Sequence, residues 1–117
     1  MFMCVFCKIV NKEIPAKVVY EDDLIMAFHD INPQRKVHVL VIPKKHIPSV
    51  NDITPEDKEL MGHLWVKIPE IAKKLGIAEE GYRVIVNTGK NGGQEIYHIH
   101  FHILGGEPVG PMTCRNK

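Results

Sequence analysis

The segment Tyr97-His98-Ile99-His100-Phe101-His102-Ile103-Leu104 sets three histidines at strict alternation. Near neutral pH histidine can act as nucleophile, proton shuttle or metal ligand. On a strand, side chains alternate between faces. His98, His100 and His102 are therefore predicted to share one face. Ile99, Phe101 and Ile103 take the other and anchor the strand in a core. Imidazoles two residues apart start about 7 Å from one another. At that spacing all three converge poorly on one ion, but neighbours can take different roles around one ligand. The bland alternative, a solvated polar face, needs three of the chain's 7 histidines to alternate by chance.

A second group with chemical potential is Cys4-Val5-Phe6-Cys7, a C-x-x-C pair at zinc-ligand spacing. Half of a zinc site, two buried inert thiols and a redox pair all stay open for it. The redox case lacks the strand that precedes a thioredoxin-like motif. Cys114 is unpaired near the end of the sequence and reads as a bystander.

These groups need elements to hold them. Val5, Phe6, Ile9 and Val10 lie at helical spacing, so a short N-terminal helix is predicted, ended by Pro15. Residues 18–21, 24–30, 37–42, 82–87 and 96–104 read as strands, with 37–42 an inner one. Asp22-Asp23 and Ile31-Asn32-Pro33-Gln34 read as turns, and the Gly-rich stretch 88–94 as a hairpin loop. A long helix starts at Thr54, with Pro55 at its first position and Asp57 where a capping-box acid belongs. Its apolar stripe is Leu60, Met61, Leu64, Trp65, Ile68, Ile71, Ala72 and Leu75, and Gly76 stops it. Pro69 is expected to kink or split that helix. Strands joined by short turns, with helices on them, imply an antiparallel sheet and an α+β fold.

With 117 residues the chain is predicted to be one domain, 1–117. An apolar content of 44% and a charged content of 25% point to a globular protein rather than a disordered one. The net charge is +1, with acids and bases mixed. That excludes a nucleic-acid surface or a polybasic membrane anchor as the expectation, but a small nucleotide site needs only local donors. With no spanning run, no secretory signal and an odd number of cysteines, the expected location is the cytoplasm.

The sequence resembles the histidine-triad family. Its His-x-His-x-His run carries the likeness, together with Phe28-His29-Asp30-Ile31, the run from Val39 to His46, Asn87, and Gly92-Gly93-Gln94. The likeness runs from Cys4 to Gly106. Leu104-Gly105-Gly106 looks like the Hint branch, the nucleoside phosphoramidases. The resemblance implies a homodimer, a five-stranded antiparallel sheet per subunit and a two-step hydrolysis. His100 would attack the α-phosphorus of a purine nucleoside phosphoramidate and form a covalent nucleotidyl-histidine, which water then cleaves. His102 would bind phosphate and protonate the departing amine, a task suited to an imidazolium. His38 would support them; by itself it also reads as an ordinary strand histidine.

By the same resemblance, Phe6, Ile9, Phe28 and Ile31 would form the purine slot and Asp30 would accept from the ribose hydroxyls. Asn87, Gln94 and the backbone of Gly92 and Gly93 would face the phosphate. Glu95 stands where the Hint pattern often has a phosphate-touching serine, and a carboxylate there repels phosphate unless protonated or turned away. Some family members hold a zinc ion with such a cysteine pair plus two histidines, here His46 and His98. The rival expectations are a dinucleoside polyphosphate hydrolase and a nucleotide- or partner-binding module with little turnover.

Overall fold

Five strands form one antiparallel sheet in the order β1-β2-β3-β5-β4, in a computed structural model that describes residues 4–113. Cys114 lies outside the described residues. The elements are α1 (Val5–Val10), β1 (Val18–Glu21), β2 (Ile25–His29), β3 (Val37–Pro43), α2 (Lys58–Lys74), β4 (Tyr82–Val86) and β5 (Phe101–Gly105). The architecture is α+β, as the sequence implies. β3, the β-branched run, is an inner strand between β2 and β5 and is buried along nearly all its length.

Alternation sorts the sheet's residues into two cores. Ile25, Ala27, Val39, Val41, Phe101 and Ile103 pack with Leu64, Ile68, Ile71 and Ala72 of α2. Met26, Phe28, Leu40 and Ile42 point the other way and pack with Phe6 and Ile9 of α1. Ile99 joins the α2 side, as its alternation with the histidines predicts.

The last strand is shorter than expected. It begins at Phe101, and residues 96–100 bend away from the ladder. β3 pairs with β5 as far as Val41↔Phe101, which would bring Pro43 opposite Ile99. Proline has no N–H to donate there. The Ile99 N–H instead donates to the Ile47 carbonyl at 2.7 Å.

The long helix keeps its predicted start. Asp57 Oδ2 accepts from the Thr54 N–H at 3.0 Å in a capping box. A 3₁₀ turn, Pro55–Asp57, then leads into α2. Pro69 does not split the helix, which runs unbroken over 17 residues. Pro69 and Trp65, four residues before it, both lie on the solvent side, so water can satisfy the carbonyl left without a helical donor. Trp65 is 49% exposed rather than part of the buried stripe, though its ring meets the Phe101 ring edge-on at 5.6 Å. Gly76, at φ 76°, ends α2.

α1 ends at Val10, well before Pro15. Lys12 adopts φ 65°. The Glu13 N–H reaches the Lys8 carbonyl at 2.8 Å and the Lys12 N–H reaches that of Ile9 at 3.1 Å. This pair of bonds closes the last turn without proline. Among the described residues, no helix is long and apolar enough to cross a membrane.

Asp22 ties α2 to the β1–β2 turn. Its Oδ1 accepts from the Leu24 and Ile25 N–H groups at 2.8 and 2.9 Å. Its Oδ2 accepts from the Tyr20 hydroxyl and from His63 of α2, both at 2.7 Å. Burial works to raise its pKa, but these four donors hold the carboxyl well below the usual carboxylate range. Asp22→Ala leaves several donors without an acceptor and is expected to cost about 1–3 kcal/mol. Urea denaturation checks this; an unchanged midpoint would remove Asp22 from the set of anchors.

Candidate active site and metal site

The β3–β5 register places Leu40 opposite His102 and His38 opposite Leu104. This puts His38 and His102 on the α1 side of the sheet, together with His100 just before β5. The His100 and His102 ring centroids are 5.0 Å apart, and those of His38 and His102 are 5.2 Å apart. The His100 and His102 rings thus stand closer than the about 7 Å start of an extended strand, with His100 lying just outside the ladder.

Backbone groups fix which nitrogen of each ring carries its proton. A carbonyl can only accept, so His100 Nδ1 donates to the His98 carbonyl at 2.8 Å. In the neutral ring this leaves a lone pair on Nε2. A backbone N–H can only donate, so His38 Nδ1 accepts from Gln34 N at 3.0 Å. Neutral His38 therefore carries its proton on Nε2 and donates to His102 Nδ1 at 2.9 Å. His102 in turn keeps its proton on Nε2. Asp30 Oδ2 lies 3.4 Å from His38 Nε2. Asp30, His38 and His102 lie close enough to hold an ion. Because the facing His38 nitrogen is protonated, His38 donates to His102 instead, and Asp30 stands beside the pair.

His98 lies on the same α1 side, its ring 5.9 Å from that of Phe6, but it is turned toward the cysteines. Its Nε2 donates to the Pro43 carbonyl at 2.8 Å, which turns a Nδ1 lone pair toward Cys4, Cys7 and His46. Cys4 Sγ lies 3.3 Å from His98 Nδ1 and 3.5 Å from His46 Nδ1. Cys7 Sγ lies 3.6 and 3.2 Å from the same two atoms. The two Nδ1 atoms are 3.2 Å apart. Zinc bond lengths in a tetrahedron give S···N edges of about 3.5 Å and an N···N edge of about 3.3 Å. The four residues therefore fit a tetrahedral ion. Burial, with Cys4 adding to it, pushes the Cys7 thiol up to about 11; a coordinated cation reverses this and deprotonates the sulfur.

The other sequence-predicted residues divide. Phe6, Ile9 and Phe28 are buried together. The Phe6 ring lies 5.1 Å from His100 and 5.7 Å from Phe28. Ile31 is fully exposed and stands apart from that cluster. Asp30 Oδ1 accepts from Asn32 N at 2.7 Å, leaving Oδ2 toward His38. Asn87 directly follows β4 and is half-buried.

Gly92 is needed sterically, since a Cβ there would lie 2.5 Å from the Thr88 carbonyl. The Gly93 N–H is taken up by Lys90 O. Gln94 was expected to face phosphate. Its side chain instead accepts from Gly89 N and donates to Pro48 O and Ile96 O, and its backbone N–H goes to Gly89 O. With those groups committed, Gln94 shapes the loop and ties it to the segment that follows β3. Glu95 is exposed. The groups that sequence reasoning missed are the Gln34 N–H and the Pro43 and His98 carbonyls. Backbone groups leave no residue-type signal.

Burial is the main cause that pushes His102 down to about 4; His100 and His38 add to it and Asp30 opposes it. Burial also lowers His38, against Asp30, and lowers His98. In the unfolded chain His102 takes up its proton near 6.5, in the fold only near 4. Between those values the unfolded state binds more protons, so stability falls as pH falls through that window. Denaturation followed from neutral pH to the bottom of that window is expected to show the loss, and His102→Gln to make the slope shallower. An identical slope would dismiss His102 as a contributor.

The chain matches known proteins over nearly its whole length. The HIT domain family matches residues 11–109. The purine nucleoside phosphoramidase of Escherichia coli (strain K12) is 52% identical over 110 residues, 94% of this chain and 92% of that one. A HIT family hydrolase from Legionella pneumophila Philadelphia 1 has a TM-score of 0.90 at 48% identity, covering 92% of this chain and 96% of its own. A histidine triad protein from Clostridium difficile has a TM-score of 0.91 at 46% identity, covering 97% and 100%. With its histidine run, sheet order and overall likeness in agreement, the chain belongs to the HIT domain family.

Proposed function

We propose that this protein is a purine nucleoside phosphoramidase that releases AMP or GMP from an amine through a covalent nucleotidyl-histidine. The observation that carries the reading is the 2.8 Å bond from His100 Nδ1 to the His98 carbonyl. It commits the proton to one nitrogen and leaves the other free as a nucleophile. The similarity to a purine nucleoside phosphoramidase supports the substrate class.

In the first step His100 Nε2 bonds to the α-phosphorus as the P–N bond breaks. A phosphate oxyanion beside His102 raises that ring's proton affinity, so His102 enters the reaction as an imidazolium. Its Nε2 gives the departing amine its proton. In the second step the freed Nε2 takes a proton from water, water's oxygen bonds to phosphorus, and His100 leaves unchanged. Phe6, Ile9 and Phe28 form the apolar slot for the purine, the exposed Ile31 lies outside it, and Asp30 accepts from the ribose hydroxyls. Asn87 and the loop carrying Gly93, Gln94 and Glu95 border the phosphate, with Gln94 acting through the loop's shape.

The second cluster is a structural zinc site of Cys4, Cys7, His46 and His98, which cross-links α1 to the sheet. The whole chain, 1–117, works as one domain. It acts in the cytoplasm as a homodimer, and its near-neutral mixed charge suits a small nucleotide rather than nucleic acid or membrane. β4 is a sheet edge with half-buried residues and is the natural surface for a second copy.

Two experiments test these assignments. With the p-nitrophenyl ester of AMP, whose phenolate leaves without a proton, His102→Ala still permits attack by His100 but leaves water without its base. Mass spectrometry after an alkaline quench is expected to find one nucleoside monophosphate on the peptide 97–104, acid-labile and alkali-stable. His100→Ala is expected to lose both adduct and turnover. Product formation with no adduct in single turnover would mean direct attack by water, and faster turnover of a diadenosine polyphosphate than of an aminated adenylate would shift the substrate class. For the metal, protein purified without chelator is expected to hold one zinc per chain. The double change Cys4→Ser, Cys7→Ser is expected to lose it and melt several degrees lower. Metal-free protein of equal stability would refute the zinc site.

A further inference from the structure

The proton count around His38 leaves one step of this mechanism incomplete. His38 Nε2–H already points at His102 Nδ1 across 2.9 Å. If His102 becomes an imidazolium, its Nδ1 also carries a proton, and two N–H groups then face each other at hydrogen-bonding distance. His38 cannot escape by shifting its proton to Nδ1, because the Gln34 N–H donates there at 3.0 Å. The His38 N–H therefore needs another acceptor. Asp30 Oδ2 is placed for it, 3.4 Å from His38 Nε2. Its sister oxygen is held by the Asn32 N–H at 2.7 Å, which keeps the carboxylate aimed.

We propose that Asp30 is a positioning residue for leaving-group protonation: it takes the His38 N–H whenever His102 carries a proton on Nδ1. This rests on the phosphoramidase reading and adds to Asp30 a task distinct from holding ribose. The proton balance closes. With the His38 N–H on Asp30, the His102 imidazolium gives its Nε2 proton to the amine nitrogen as the P–N electron pair arrives there. His102 is then neutral, with its proton on Nδ1 and a free Nε2 for the incoming water. The charged and titratable groups that bear on the pair are Asp30 at the end of β2 and His100 before β5. Asp30 favours the protonated form of both His38 and His102, and burial disfavours it.

Two substrates with the same adenosine separate this task from ribose binding. One is AMP joined to an alkylamine, which cannot leave without a proton. The other is the p-nitrophenyl ester of AMP, whose phenolate leaves unaided. Asp30→Asn keeps an oxygen for the Asn32 N–H but removes the charge. It is expected to lower kcat/KM for the alkylamine substrate about tenfold more than for the ester, within the usual size of general acid catalysis. NMR titration with AMP bound is expected to show His102 gaining its second proton at lower pH in Asp30→Asn than in the wild type. Equal losses on both substrates, or an unmoved His102 titration, would overturn the inference and leave Asp30 a ribose ligand only. Failure of the wild-type protein to turn over either substrate would overturn the phosphoramidase reading itself, and the inference with it.

Discussion

His98 has three polar groups beyond its own N–H, and each is committed in a different direction. Its Nε2 donates to Pro43 O at the end of β3, its Nδ1 faces the cysteine cluster, and its carbonyl accepts from His100. The ring is completely buried, so none of these partners can be exchanged for water without the cost of an unsatisfied polar group. The His100 tautomer and the cluster's geometry thus depend on one residue, and that residue depends on the strand ending at a proline. Among the described residues no buried side-chain nitrogen or oxygen is left without a partner.

The sheet also divides labour. One face of β3 and β5 is packed against α2 and serves stability. The other meets α1 and carries His38 and His102. Phe6 sits at the junction, with its ring edge-on to Phe28, His98 and His100. A single aromatic side chain therefore belongs to a core, borders the cysteine–histidine cluster and walls the His100 ring.

Much of this is legible in the residues themselves. Alternation placed Ile99, Phe101 and Ile103 in the α2 core, and Thr54, Pro55 and Asp57 marked the start of the long helix, because these signals are local and strong. The grouping of Cys4, Cys7, His46 and His98 came from family resemblance, since spacing reveals only the cysteine pair. What stayed hidden was set by backbone partners. The strand 96–104 read as continuous because its side-chain pattern is unbroken, yet the ladder stops where Pro43 has no N–H to offer. The family resemblance makes Gln94 a phosphate neighbour, but its amide is taken up by the backbone of Gly89, Ile96 and the distant Pro48. Pro69 reads as a helix breaker, but its solvent-facing position makes the missing bond tolerable.

α1 has six residues, too few to persist as a helix alone in water. Its seat is made by residues far along the chain: His46 lies 42 positions beyond Cys4, and His98 lies 94 beyond it. α1, made before those residues, is therefore among the last elements to find its place. Until residues near 98 are made, its two thiols stay uncovered and Phe6 has no histidine to rest on. Contacts of such wide sequence separation form late because the intervening chain must order first. The time at which the His100 ring acquires its aromatic wall is thus set by completion of the fold's far end.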